Sequence, residues 1–193
     1  MEEEVYLDEE ILQKRREKLK EQYCTLETGI YIEGQIKEFE RKEVLDSLFV
    51  LIPTTFTLMP DELAEVKYPF VFRPACILTN ETLTVNLNFN EFPNALGETT
   101  LLQATENMKE ILENEQSVFD FGEVIALKGI EGYYFDFRQN VMDGELYHMI
   151  ANINLEDHLY QCTFNCLFSN QLDWKSAVVQ MWESAKYHKE DKR

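Results

Sequence analysis

Between residues 83 and 90, apolar Leu83, Val85, Leu87 and Phe89 alternate with Thr84, Asn86, Asn88 and Asn90. A period of two predicts a half-buried strand. Residues 74–79 are its expected hairpin partner, turning at Asn80-Glu81. Four more strand-like runs follow at 119–127, 131–138, 145–155 and 159–168. Lys128-Gly129, Met142-Asp143-Gly144 and Glu156-Asp157-His158 join them, and links this short force antiparallel neighbours. The last run is the most lopsided. Tyr160, Cys162, Phe164, Cys166 and Phe168 share one face, and Gln161, Thr163 and Asn165 the other.

Elsewhere the period changes to that of a helix. Leu101, Ala104, Thr105, Met108, Ile111 and Leu112 recur at helical spacing within 98–115. Trp174, Ala177, Val178, Met181, Trp182 and Ala185 form a core-facing stripe, with Asn170 the expected N-cap and Asp173 reaching back to it. Pro60 opens a short helix within 58–66, which Tyr68-Pro69 ends. Residues 29–36 and 44–52 each read as one strand. Residues 8–23 read as a charged helix whose stripe, Ile11, Leu12, Leu19 and Tyr23, is too thin for a core and predicts a surface or partner-facing appendage. The expected organisation is a helical extension at 1–28, one α+β domain at 29–187, and a polar tail at 188–193.

Three passages carry a resemblance: IPTTFTLMPDELAEVKYPFVFRPACILTNETLTVNLNFN (52–90), GYYFDFRQNVMDGELYHMI (132–150) and LYQCTFNCLFSNQLDWKSAVVQMWESAK (159–186). Their order, with a helix after the first and a Phe-rich strand, polar corner and Trp-containing helix at the end, resembles the PsbP/Mog1-like superfamily. The likeness is strongest to bacterial members whose domains have no known function. It implies a mainly antiparallel sheet flanked by helices, an α/β/α sandwich. It also implies no shared catalytic machinery, since members bind proteins or other partners.

Charge narrows the partner. The chain of 193 residues has 36 acids against 18 Lys and Arg, a net charge of −18. Such a chain does not hold DNA, RNA or anionic lipid through counterion release, so a protein is the expected partner, with a second copy an open alternative through residues 8–23. Neither an apolar signal sequence nor a membrane span is present, the longest greasy run being residues 48–52. The expected location is the cytoplasm, with Cys24, Cys76, Cys162 and Cys166 as reduced thiols.

The chemistry is sparse. Cys162 and Cys166 lie four apart on a strand, about 13 Å between Cα atoms, too far for a shared metal or disulfide, and read as core thiols. Their neighbours supply no nucleophile motif, and the seven scattered glycines build no phosphate loop. No metal, cofactor or catalytic residue is expected. His158 and His188 belong to a turn and the tail, and His148 reads as a surface or boundary residue. One constellation remains: Asn86, Asn88, His148, Asn152, Asn154, Gln161, Thr163 and Asn165, on the polar side of three strands. Antiparallel sheets often solvate one face, which explains it without function. The functional reading is a hydrogen-bonding concavity for a small molecule or peptide, in a binding or hydrolytic protein. Asn is a poor strand former, which favours that reading slightly.

Overall fold

A computed structural model describes residues 2–69, 73–93, 96–97 and 99–188. The chain opens with α1 (Glu2–Gln22) and a two-residue strand at Cys24–Thr25. β1 (Gly29–Ile32) and β2 (Gln35–Lys37) then form a hairpin, followed by a second made of β3 (Phe39–Leu45) and β4 (Leu48–Pro53). Thr57–Leu58 is a short strand before α2 (Asp61–Lys67), and β5 (Cys76–Thr79) and β6 (Asn86–Pro93) follow. After α3 (Leu101–Glu113) come Val118–Phe119, Ile125–Ala126, β7 (Glu131–Val141), β8 (Gly144–Leu155) and β9 (His158–Leu167). α4 (Gln171–Glu183) and the short strand Lys186–Tyr187 complete the described chain.

The central sheet has eight strands in the order Ile125–Ala126, β7, β8, β9, β6, β5, Thr57–Leu58, with Val118–Phe119 also on β7. Every pairing in it is antiparallel. The tight links act as expected: Val141 pairs with Gly144, and Leu155 with His158 across Glu156-Asp157, both at positive φ. One sheet face carries Leu87, Phe89, Met149, Ala151, Ile153, Tyr160, Cys162, Phe164 and Cys166, all fully buried. α4 lies on it with the predicted stripe inward. Trp174 touches Phe56 and Phe164 at ring-centre distances of 5.7 and 5.8 Å, and Trp182 lies 6.2 Å from Tyr134. The β3–β4 hairpin shares this core through Val44, Leu48, Val50 and Ile52. α2 and α3 cover the opposite face. The fold is α+β, a mainly antiparallel sheet between helical layers.

Several expectations need correction. Residues 29–36 are two strands, because Glu33-Gly34 turns with φ of 50° and 82°. Residues 44–52 are likewise broken at Asp46-Ser47, where Ser47 has φ 75°. The 83–90 strand runs from Asn86 instead, since Leu83 sits at φ 60° inside the turn. Residues 119–127 form two short pieces, interrupted where Asp120 takes φ 56°. There Gly122 lies so close to Asp136 that a Cβ would stand 2.0 Å from Oδ1. At α4, Asn170 makes no cap bond. Its amide donates to Glu33 instead, while Asp173 accepts from Lys20 and from the Glu33 backbone N–H.

α1 meets the rest of the chain at its C-terminal end. Lys20 pairs with Asp173 at 2.7 Å, the Tyr23 carbonyl accepts from the Tyr31 N–H, and Gln180 donates to the Cys24 carbonyl. Leu19 and Tyr23 are half-buried, whereas Ile11 and Leu12 are more than half exposed. Among the described residues, no helix is long and apolar enough to cross a membrane.

Candidate functional site

The eight residues singled out on the polar side share one sheet face. Asn86 stands opposite Asn165, Asn88 opposite Thr163, His148 opposite Asn165, and Asn152 opposite Gln161. The face is roofed. Asn86, Asn88 and Asn152 are buried, and His148, Asn154, Gln161, Thr163 and Asn165 are half-buried. Most of the amides bond to one another or to the roof. Asn86 accepts from Thr79 at 2.9 Å and donates to Asn165 at 2.8 Å, and Asn88 donates to Thr163 at 2.9 Å. Towards the helices, Asn152 donates to Thr105 of α3 at 3.0 Å, Gln161 to the Met108 sulfur at 3.3 Å, and Asn165 to the Tyr68 hydroxyl at 3.4 Å. Asn154 stands further out and donates to Glu131.

Past β8 the same face turns aromatic around His148, a half-buried position. Its ring lies flat on Phe137, 5.0 Å away, and Phe137 stacks on Phe121 and Phe135 in turn. Burial disfavours the imidazolium and lowers the pKa to about 4. Two buried polar atoms on this face, His148 Nε2 and Asn88 Oδ1, have no hydrogen-bond partner among the described residues. A cleft of ≈530 Å³ opens between α3 and the sheet, with Leu96, Thr99, Met108, Ile111, Ile150 and Gln161 among its walls. Of the eight residues, Gln161 alone reaches that lining.

The outer surface of the roof has a different character. α2 exposes Asp61, Glu62 and Glu65, and α3 exposes Glu106, Glu110 and Glu113, against Lys67 and Lys109. Large apolar side chains stand among these acids. Val66 is 81% exposed and Ile111 68%, and Leu63 and Leu102 are also open to solvent. Asp136 is the sole buried acid among the described residues, so the negative surplus is a surface property.

Three clusters escaped sequence reading. Asp136 Oδ2 accepts from Tyr147 at 2.5 Å and from Lys175 at 2.6 Å, tying β7, β8 and α4 together on the core side. Arg138 lies between Phe119 and Phe168, 5.0 and 3.7 Å from their ring centres, and bonds Asp120 and Glu145. His158 bridges Glu91 at 2.5 Å and the Tyr187 hydroxyl at 3.3 Å. Asp136 and Arg138 left one hint, charges on the core side of an otherwise apolar strand. The His158 contacts left none, because they join distant parts of the chain.

Reactive chemistry is muted. Burial pushes the Cys76 thiol up to about 11 and the Cys166 thiol to about 12, and raises that of Cys162 as well. Such thiols are protonated at neutral pH and are poor nucleophiles. Among the described residues, no three His, Cys, Asp or Glu side chains converge to hold a metal ion.

No family model and no curated protein matches the chain. Solved structures do. The solution structure of cyanobacterial PsbP from Synechocystis sp. PCC 6803 superposes with a TM-score of 0.54 at 12% identity, covering 81% of this chain and 96% of that one. The Ran-binding protein Mog1p of Saccharomyces cerevisiae gives 0.52 at 10% identity, over 78% and 96%. LpqN of Mycobacterium tuberculosis, involved in cell envelope biogenesis, gives 0.50 at 10% identity, over 86% and 99%. At these identities the likeness establishes the fold.

Proposed function

We propose that this chain, an α+β protein of PsbP/Mog1-like fold, is a non-enzymatic module that binds a basic protein partner. The observation that carries the reading is the outer face of α2 and α3: six exposed acids against two lysines, with Leu63, Val66, Leu102 and Ile111 exposed among them. Acids steer an oppositely charged partner and fix its orientation, and exposed apolar groups supply the area whose burial holds it. An amphipathic segment with a basic face suits both. The structural neighbour Mog1p, named for binding Ran, has the same fold and lends analogy only. Buried, protonated thiols and a neutral His148 suit a non-enzymatic role.

Affinity capture from the source cell tests this, with wild type and the Glu106→Gln/Glu110→Gln/Glu113→Gln variant used side by side. A basic protein retained by wild type and depleted on the variant supports the reading. Equal capture by both removes α3 from the interface.

A second reading rests on the cleft of ≈530 Å³ between α3 and the sheet, where Thr99, Asn107 and Gln161 offer polar groups among apolar walls. A concave, mostly apolar site with a few polar groups suits a small molecule. Native mass spectrometry of freshly purified protein distinguishes the readings. A stoichiometric bound mass that is lost in Gln161→Leu favours the small molecule.

A further inference from the structure

α1 carries a pattern that the α2–α3 surface does not use. Around Leu12, helical spacing lines up Val5, Asp8, Glu9, Arg15, Arg16 and Leu19 on one side of the helix. Two acids stand one turn before Leu12 and two arginines one turn after it, and Val5 and Leu19 lie seven residues out on either side. In an antiparallel pair with its two-fold axis at Leu12, helical spacing puts Glu9 and Arg16 together on one flank and Asp8 and Arg15 on the other. The stripe complements itself in the antiparallel sense. A parallel pair would oppose like charges.

The structure leaves this stripe uncovered along most of its length. Residues 9–18 are all exposed, with Leu12 at 51% and Ile11 at 57%. Among the described residues, its hydrogen bonds to the rest of the chain are made over residues 20–24. Helical stability in proteins comes mostly from packing, so a helix with this little of it gains from a partner. A partner of one charge sign meets repulsion from half of the stripe, whereas a second α1 matches both halves.

We infer that α1 is an interface for a second copy of this chain, paired antiparallel about a two-fold axis at Leu12. The interface is isologous, so the Glu9–Arg16 and Asp8–Arg15 pairs each occur twice, and Leu12 meets its own symmetry mate.

Sedimentation equilibrium on the full chain tests the pairing. At about 0.15 M salt the screening length is about 8 Å, which suppresses repulsion between bodies but leaves contacts between helices. The wild type is expected to self-associate as a dimer. Arg15→Glu/Arg16→Glu, and separately Asp8→Arg/Glu9→Arg, should each weaken that association by roughly 30-fold or more, since four attractive pairs become repulsive. Mixing the two variants should restore a one-to-one dimer, because every facing pair is again opposite in sign. That rescue also shows that both variants are folded. A wild type that stays monomeric at its solubility limit overturns the proposal. So does a dimer indifferent to charge reversal, or a mixture that remains two monomers.

Discussion

Replacing His148 with leucine should remove about 2 kcal/mol of the fold's loss of stability between pH 7 and 4.5. The imidazole is stacked on Phe137, and its Nε2 is buried without a partner among the described residues. Its pKa is lowered from 6.5 to about 4 by burial. Because the folded-state value is the depressed one, the unfolded chain takes up the proton first as pH falls. The stabilising contribution is present above pH 6.5 and is lost as pH drops towards 4. The slope approaches about 1.4 kcal/mol per pH unit, so from pH 7 to 4.5 the loss from this one group is about 2 kcal/mol. Urea unfolding of wild type and His148→Leu at several pH values in that range isolates the effect, since carboxylates titrate alike in both. At pH 7 the variant should lie within about 1 kcal/mol of wild type, as the lost ring stacking is offset by removal of an orphaned polar atom. Its relative stability should then rise steadily as pH falls. Parallel pH curves for the two proteins would refute the buried, neutral imidazole.

Three further outcomes follow from the packing. Trp182→Ala should lower unfolding free energy by about 3–5 kcal/mol in denaturant melts, because a fully buried indole leaves a cavity under α4. Asn86→Ala should cost about 1–3 kcal/mol by the same assay, since Asn165 Oδ1 loses its donor and Thr79 one of its acceptors on the buried face. Deleting residues 1–18 should shift thermal unfolding only slightly. The Lys20–Asp173 pair, Tyr23 and the Cys24 carbonyl contact all remain, and residues 9–18 are exposed.

What was legible in the sequence depended on where its pattern was decided. Strand 159–168 and the Trp174–Ala185 stripe are read correctly because each has one buried and one less buried side, and the period records it. Glu156-Asp157 reads as a turn because a two-residue link between alternating runs has few alternatives. The turns at Ser47 and Leu83 escaped because neither residue advertises a positive φ; at Leu83 the turn is held locally, with Asn80 accepting from the N–H groups of Leu83, Thr84 and Val85. For the polar face, alternation placed the eight residues on one side but could not report what lies above them. Thr105, a hydroxyl within the apolar stripe of α3, was the available hint, since it meets Asn152. The stacking of His148 escaped for the same reason: its neighbour Phe137 sits in another strand, and spacing within β8 carries no record of that stack.

The claim that α2 and α3 form an acidic docking face is tested most directly by the association rate of the captured basic partner as ionic strength is raised. Electrostatically steered encounter predicts a rate that falls at least about tenfold from low to high salt. It also predicts a much shallower dependence for Glu106→Gln/Glu110→Gln/Glu113→Gln. A rate that is flat with salt, or a steep dependence that the triple variant leaves unchanged, would contradict it.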